Sequence, residues 1–295
     1  MTLQRALVLG GGGVAGIAWE TGVLAGLADA GVDAAAADYV LGTSAGSAVA
    51  AQLGSGLSWA ELFRRQADPA AQNEELGLGE GVSVTELRDT WLRLAEETPD
   101  ADELRRRKCA LALEVETVPE SARRAVIAGR LPDHAWPERG LGIVVVDAHT
   151  GEPRVFDRNS GVALVDAVAA SCAVPGVWPP VTIGGSRFVD GGIRSGSNAD
   201  LVAGHDRVLV IVPWPDPSLP EEVAVLREHG QVEVITADEA SLAAIGDDPL
   251  DPATRTPAAK AGYAQGRQAA AAAAGGWNAH VVAAGDAGGH LGGPR

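Results

Sequence analysis

The chain is poor in aromatic side chains, in cysteine and in positive charge, and each shortage restricts how the protein can be built or what it can bind. Aromatic residues make up 4% of the 295 residues, so a core must be built from alanine, valine and leucine in a chain that is 46% hydrophobic. Two cysteines support neither a disulfide framework nor a cysteine-based metal cluster. A net charge of −16 opposes binding to nucleic acid and to anionic lipid surfaces.

The sequence also lacks a clear targeting or membrane-spanning segment. Residues 1–18 contain an arginine and an apolar stretch, as a signal peptide does, but four consecutive glycines interrupt that stretch. Residues 161–185 carry a single charge, yet Pro175, Pro179 and Pro180 would break a membrane helix. We therefore expect a cytoplasmic protein whose membrane contact is at most transient and peripheral. No spacing typical of metal ligands is present, so no metal is expected.

The first positive signal is a G-x-S-x-G pentapeptide at residues 42–46, with Ser44 at its centre. It follows a short apolar run and precedes a small-residue segment typical of a helix. Gly42 and Gly46 leave room for the sharp strand-to-helix turn of a nucleophile elbow. Unpaired N–H groups at the start of the helix would favour negative charge near the serine hydroxyl. The alternative is a serine that only caps a helix.

A second signal is a run of four glycines between a strand over residues 7–9 and a helix over about 17–30. Such a loop can turn several N–H groups toward one point. It could bind a pyrophosphate, because residues 11–16 match G-x-G-x-x-G, or form an oxyanion hole. Dinucleotide binding needs an acidic residue after the second strand, and residues 42–44 contain none, which favours the oxyanion hole. The candidate donors of this hole are the amides of Gly10, Gly11, Gly12, Gly13 and Ala45.

A third signal is Asp190, which follows an apolar, strand-like stretch and precedes Gly191 and Gly192. An aspartate in such a turn often only hydrogen-bonds its own backbone. The functional interpretation is a general base for Ser44, because a serine hydroxyl is a poor nucleophile until a neighbouring group removes its proton.

In this order, the three motifs resemble those of the patatin-like phospholipase family. The resemblance extends to the small-residue and proline stretch at residues 170–180, and to Asn198 after the Asp190-Gly191-Gly192 turn, so it covers most of the chain. It implies a three-layer α/β/α fold with a central, mostly parallel sheet and a helical insert. It also implies a Ser44–Asp190 dyad without cofactor, acting on lipids or other acyl esters.

The glycine loop departs from the family at one position. The family often carries arginine or lysine where this chain has Ala15. Without that cation, Gly12 and Gly13 become the chief donors of the oxyanion hole. The departure also supports an alternative, a non-catalytic protein that keeps the fold as a lipid-binding module.

A rival interpretation with the same nucleophile is an α/β-hydrolase whose triad combines Ser44 and Asp190 with His205 or His229. In that fold several strands precede the nucleophile, whereas a single β–α unit precedes Ser44. No histidine accompanies the glycine loop either. Both observations favour the dyad.

The remaining pattern predicts a single domain over residues 1–285 and a disordered tail over 286–295. A helical insert at about 58–139, beside the active-site mouth, would contain helices over 58–67, 84–97 and 121–129. Its apolar side chains belong either to the core or to an acyl-chain channel; they are Trp59, Phe63, Leu87, Trp91 and Leu94. Its basic run at 105–108 is either a solvated helix face or, together with Arg123 and Arg124, a contact for a lipid headgroup near the acyl site.

Overall fold

The computed structural model describes residues 3–78 and 84–277, so the tail expected at 286–295 lies outside the described residues. The eight strands of this part are β1 Arg5–Leu9, β2 Tyr39–Thr43, β3 Gly140–Asp147, β4 Pro153–Phe156, β5 Val181–Ile183, β6 Ser186–Asp190, β7 Arg207–Val212 and β8 Gln231–Thr236. Its α-helices are α1 Gly13–Asp29, α2 Ala45–Leu53, α3 Trp59–Ala67, α4 Val84–Glu97, α5 Ala101–Glu114, α6 Glu120–Arg130, α7 Leu164–Ser171, α8 Leu219–Arg227, α9 Glu239–Ile245 and α10 Arg255–Trp277.

All of these strands join one sheet in the order β5-β6-β3-β2-β1-β7-β8, with β4 paired to β3. Strands β3, β2, β1, β7 and β8 run parallel, whereas β4, β5 and β6 pair in antiparallel fashion. Because the central strands are parallel, their carboxyl ends lie along one edge, where ligands bind in open α/β sheets.

The sheet is buried on both faces, which is why its central strands are continuously apolar. Alternate side chains point to opposite faces. Leu7 and Leu9 pack toward α1, α2, α7 and α10 in the largest core cluster. Ala6 and Val8 pack toward α8 in a second cluster. Helices on both faces of a mostly parallel sheet confirm the expected α/β/α fold.

Helices α1 and α10 are held unusually close by glycines that face one another. Side chains added at Gly22 and Gly26 of α1 would place a Cβ atom 2.2–2.3 Å from backbone oxygens of α10. Gly262 and Gly266 of α10 would meet backbone oxygens of α1 at the same distances. This contact fixes α1, and with it the glycine loop that precedes it.

Most of the expected elements are present, and the differences have local causes. Helix α5 was not expected between the helices at 84–97 and 121–129; it begins at an N-cap in which Asp100 accepts a hydrogen bond from the Glu103 N–H. Helix α10 ends at Trp277, whose indole N–H donates to the Asp33 carbonyl. Within the described ranges, no helix is both long enough and apolar enough to cross a bilayer.

Candidate active site

Ser44 occupies a strained turn between β2 and α2. Its backbone angles are φ 52° and ψ −117°, in the positive-φ region that non-glycine residues rarely adopt. The turn requires glycine on both sides because the chain passes close to its neighbours. A Cβ at Gly46 would lie 2.1 Å from the Leu9 carbonyl oxygen, and one at Gly42 would lie 2.6 Å from the Ser47 Cα.

The segment at residues 170–180 holds this turn in place. The Ser171 hydroxyl accepts a hydrogen bond from the Ser44 N–H at 2.9 Å and donates to the Val144 carbonyl at 2.7 Å. The Cys172 thiol donates to the Ser44 carbonyl at 3.2 Å, as does the Ser47 hydroxyl at 2.6 Å. Because its backbone is fixed from both sides, Ser44 can keep the strained conformation.

Strand β3 brings Asp190 to Ser44. Thr43, the last residue of β2, pairs with Val144, and Asp190, the last residue of β6, pairs with the adjacent Val145. The two strand ends therefore meet at neighbouring positions of β3. Ser44 and Asp190 both line one cavity, and they are 8% and 4% exposed.

The Asp190 carboxyl group has one occupied and one free oxygen. Oδ1 accepts the Gly192 N–H at 2.7 Å. Oδ2 is buried and accepts no hydrogen bond within the described ranges. The turn that carries it needs Gly191, where a Cβ would lie 2.5 Å from the Val144 carbonyl oxygen.

Burial raises the pKa of Asp190 from its ordinary value of 3.8 to about 7. The nearby Ser44 hydroxyl, the Gly192 N–H and the charge of Arg123 oppose this shift without cancelling it. A carboxyl group with a pKa near neutrality, beside a serine hydroxyl in a cavity, can accept and return a proton.

The glycine loop corrects the expected set of oxyanion donors. The Gly10 N–H donates to the Ile211 carbonyl at 3.0 Å, and the Gly11 N–H donates to the Gly196 carbonyl at 2.8 Å. These two amides are therefore not free for a substrate, and their bonds instead anchor the loop. In the part of the chain that the structure describes, the amides of Gly12, Gly13 and Ala45 donate to no other group. Gly13 and Ala45 begin α1 and α2, so both helix N-termini point to this site.

Hydrogen bonds from the Asn198 side chain link separate elements of the site. Its side-chain NH2 group donates to the Thr43 hydroxyl at 3.1 Å and to the Ser195 carbonyl at 2.7 Å. It also donates to the carbonyl of Gly191 at 3.3 Å, which links the end of β2 to the turn after Asp190. Asn198 is fully buried, so it acts as a structural link.

Two cavities reach Ser44 from different sides. The larger measures about 550 Å³ and also contains Asp190, Gly12 and Gly13. Its walls are mainly apolar, and one of them is formed by α4, including Leu87 and Trp91. Trp59 and Phe63, in contrast, pack against the main core. The apolar side chains of the insert therefore have two roles. Those of α3 belong to the core, whereas on α4 Leu87 lines the cavity and Trp91 both lines it and packs against a small core cluster.

The smaller cavity measures about 20 Å³, enough for about one water-sized atom. Ser44, Gly13 and Ala45 line it from the sheet side, and Arg123 and Glu75 line it from the insert. From the sequence, Arg123 is expected only as part of a candidate headgroup contact, and Glu75 carries no signal. Charged residues usually lie on the surface, and no local pattern marks a buried one.

The histidines do not complete a triad in the described structure. The ring of His205 stacks on Tyr39, with 5.8 Å between centroids, and Tyr39 is the first residue of β2. Ser44 follows five residues later, about 16 Å along an extended strand. His229 likewise precedes β8 and lies at the same edge as His205. Both histidines are thus at the sheet edge opposite Ser44.

The basic run at 105–108 lies on α5 and is mostly paired within that helix. Arg106 is exposed and pairs with Glu103, as on a solvated helix face. Arg105 pairs with Asp102 but is mostly buried and also donates to the Gly151 carbonyl. Lys108 differs, because its ammonium group lies 4.9 Å from the centre of the Trp91 ring and lines the larger cavity. Burial lowers the pKa of Lys108, and Asp216 opposes that shift.

Two solved structures resemble the chain at low identity. VipD from Legionella pneumophila matches with 15% sequence identity and a TM-score of 0.48, over 92% of this chain and 67% of that protein. The type III effector protein ExoU matches with 18% identity and a TM-score of 0.39, over 90% of this chain and 53% of that protein. The chain thus spans about two thirds of the length of one and about half of the other.

No relative is found among curated protein sequences. A sequence model of the family described as patatin-like phospholipase matches residues 7–203. This range is more than half of the chain, and it includes the glycine loop, Ser44, Asp190 and Asn198. The protein therefore belongs to the patatin-like phospholipase family.

Proposed function

We propose that this protein is a serine acyl hydrolase that cleaves carboxyl esters of lipids with a Ser44–Asp190 dyad. Family membership supports lipid hydrolysis in general. The observation that carries the dyad is the pairing of a strained Ser44 with a buried Asp190 that has one unpartnered oxygen. Oδ1 accepts the Gly192 N–H, but Oδ2 has no donor, and the Ser44 hydroxyl, which is near enough to lower the Asp190 pKa, is the group that can supply one.

In the first half of the reaction, the Ser44 hydroxyl attacks the ester carbonyl carbon while Asp190 accepts its proton. The carbonyl oxygen becomes negative and receives hydrogen bonds from the free amides of Gly12, Gly13 and Ala45. When the tetrahedral intermediate collapses, Asp190 returns the proton to the departing alcohol, and the acyl group remains on Ser44.

In the second half, Asp190 takes a proton from a water molecule that attacks the acyl-enzyme. The same amides stabilise the second oxyanion, and collapse releases the fatty acid and restores the Ser44 hydroxyl. An Asp190 pKa of about 7 suits both directions of transfer, because the group can hold or release a proton near neutral pH.

The larger cavity is the proposed binding site for the acyl chain. A volume of about 550 Å³ falls within the range typical of ligand pockets. Its apolar wall on α4 would replace the water around the chain and supply binding energy by burial of apolar surface. We propose that residues 58–139 are an insert within one hydrolase domain over 1–285 and that this insert forms the chain-binding wall.

The proposal is tested by replacing the nucleophile. Ser44→Ala should reduce hydrolysis of a nitrophenyl ester to background while the unfolding temperature remains near that of the wild type. A fluorophosphonate probe should label the wild type on a single serine and should not label Ser44→Ala. A matched control is Ser160→Ala, which removes an exposed hydroxyl in a turn. This variant should hydrolyse the ester and react with the probe as the wild type does.

Two results would contradict the proposal. Activity of Ser44→Ala at the wild-type level would remove Ser44 from the mechanism. A wild-type protein that reacts with neither probe nor ester, yet binds fatty acid in the larger cavity, would favour the non-catalytic alternative suggested by Ala15.

A further inference from the structure

Arg123 on α6 is a buried cation without a full set of partners. The residue is 4% exposed, and its Nε and Nη1 atoms donate no hydrogen bond within the described structure. The guanidinium group stacks on Trp178, 3.8 Å from the ring centre, which fixes its orientation. Burial of a charged group without hydrogen-bond partners costs free energy. We therefore expect the free nitrogens to serve an acceptor that the described residues do not supply.

The carboxylate nearest to Arg123 does not satisfy it, because two other arginines share that carboxylate. Glu75 forms a two-bonded ion pair with Arg130 through contacts of 2.5 and 3.1 Å. It lies 3.7 Å from Arg255 and 4.0 Å from Arg123. Arg255 has further acceptors, including Gln66. Three buried guanidinium groups therefore surround one carboxylate, and Arg123 is the one whose Nε and Nη1 remain free.

Arg123 lines the smaller cavity, which Ser44, Gly13 and Ala45 also line. Asp190 lines the larger cavity instead. The smaller cavity thus brings Arg123 next to Ser44 and to two of the three proposed donors, Gly13 and Ala45, whereas Gly12 lines the larger cavity with Asp190. The charge of Arg123 still acts on Asp190, whose pKa it lowers. The volume of about 20 Å³ admits one oxygen atom and is too small for a phosphate group.

We propose that Arg123 is a charge-stabilising residue of this active site, which acts on the carbonyl oxygen when it becomes negative in the smaller cavity. The inference rests on the proposed Ser44 chemistry. Burial and the neighbouring Arg130 lower the pKa of Arg123 to about 9, so the group remains protonated at neutral pH. The cation comes from the insert, whereas the glycine loop itself has Ala15 and no charge.

The test compares Arg123→Gln and Arg123→Lys with Arg124→Gln. Arg124 is the adjacent residue, is exposed and pairs with Asp166, so its substitution is the matched control. Arg123→Gln should lower kcat about 10- to 100-fold, less than the loss of a direct oxyanion donor, with KM nearly unchanged. The loss should be equal for a neutral nitrophenyl ester and for an acyl ester that carries a phosphate group. Arg123→Lys should retain part of the activity, and Arg124→Gln should retain all of it.

Inhibition by a trifluoromethyl ketone distinguishes charge stabilisation from a structural role, because a structural role would leave the inhibition constant unchanged. The ketone forms a reversible adduct with the serine that carries a negative oxygen. Its inhibition constant should rise in each Arg123 variant by about the factor by which kcat/KM falls. If Arg123→Gln does not fold, this proportionality can be measured with Arg123→Lys alone, since that variant keeps the charge but moves it.

Three outcomes would overturn the inference. One is a loss confined to KM for the phosphate-bearing ester, which would make Arg123 a headgroup contact. Another is a fall in activity with unchanged affinity for the ketone, which would indicate a structural role. The third is wild-type activity in both Arg123 variants. If Ser44→Ala is inactive in the same assays, the proposed function stands in all three cases and only the role of Arg123 is lost.

Discussion

Asp190→Asn should make the protein more stable and inactive at the same time. The substitution keeps the size of the side chain, and the Asn oxygen can still accept the Gly192 N–H that Oδ1 accepts. It removes the buried negative charge. The pKa of about 7, against 3.8 for an ordinary aspartate, corresponds to about 4 kcal/mol, at about 1.4 kcal/mol for each unit of pKa.

The direction of this effect follows from proton binding. Because the folded-state pKa of Asp190 is raised, the folded protein retains a proton that the unfolded chain releases above pH 3.8. The contribution of Asp190 to stability is therefore highest below the unfolded pKa and is lost as pH rises toward about 7. The asparagine variant does not lose stability in this way, because its side chain has no carboxyl group to ionise. Its gain in free energy of unfolding should be near zero in acid and reach about 4 kcal/mol at pH 8.

Thermal unfolding at several pH values, combined with ester hydrolysis, measures both effects. A gain of about 4 kcal/mol corresponds to an increase of about 6 °C in Tm for a chain of this length. Turnover should fall by at least about 10²-fold, because the amide cannot accept the serine proton. Ser44→Ala is the informative comparison, since it should remove activity without the pH-dependent gain in stability.

The reasoning would be refuted by an asparagine variant whose stability follows that of the wild type at every pH. That result would mean that the Asp190 carboxyl group is not held at a raised pKa by burial. A variant that keeps wild-type turnover would refute the assignment of Asp190 as the base, whatever its stability. Since the two readouts are independent, each part of the argument can fail alone.

Three further predictions concern the pH dependence of activity, the packing of α1 on α10 and the length of the acyl chain. The ratio kcat/KM should rise with pH with an apparent pKa of about 7, because Asp190 must be ionised to accept a proton; a pKa near 4 in the pH profile would contradict this. Gly26→Ala would place a methyl group 2.3 Å from the Tyr263 carbonyl oxygen and should lower stability by about 1–3 kcal/mol in denaturant unfolding. Gly129→Ala, a control with nothing within 4 Å, should instead raise stability by up to about 1 kcal/mol. Leu87→Trp should reduce kcat/KM for long-chain esters more than for acetate or butyrate esters, and an equal change for all chain lengths would argue against the larger cavity as the acyl site.

The features that the sequence predicted well are those that a few neighbouring residues specify. The elbow at Ser44 needs glycine at positions 42 and 46 because β1 and α2 pass so close, and that need appears directly in the sequence. The buried strands appear as apolar runs because both faces of the sheet are covered. The parallel order of those strands then follows from the helices between them.

Features that have a weak apolar pattern or that depend on distant partners were missed. Helix α5 has little apolar periodicity, and its visible signals are an N-cap at Asp100 and ion pairs three residues apart. The loss of Gly10 and Gly11 as donors depends on carbonyls of Ile211 and Gly196, about 200 residues away along the chain. No local pattern can reveal which amides of a glycine loop are already occupied.

The unsatisfied groups of the structure point to the same site as the motifs. Five residues in the described ranges have buried side-chain atoms without a hydrogen-bond partner: Glu20, Trp91, Thr98, Arg123 and Asp190. Trp91, Arg123 and Asp190 line the two cavities that meet at Ser44, which itself has a strained backbone. Each of these features lowers stability. Their concentration around one hydroxyl is expected at a reaction site, where Asp190 takes a proton from the serine and Arg123 acts on a substrate oxygen. An inhibitor oxygen that becomes negative in the smaller cavity would be stabilised by Arg123, so the unfolding temperature should rise more on inhibition of the wild type by the ketone than on inhibition of the Arg123 variants.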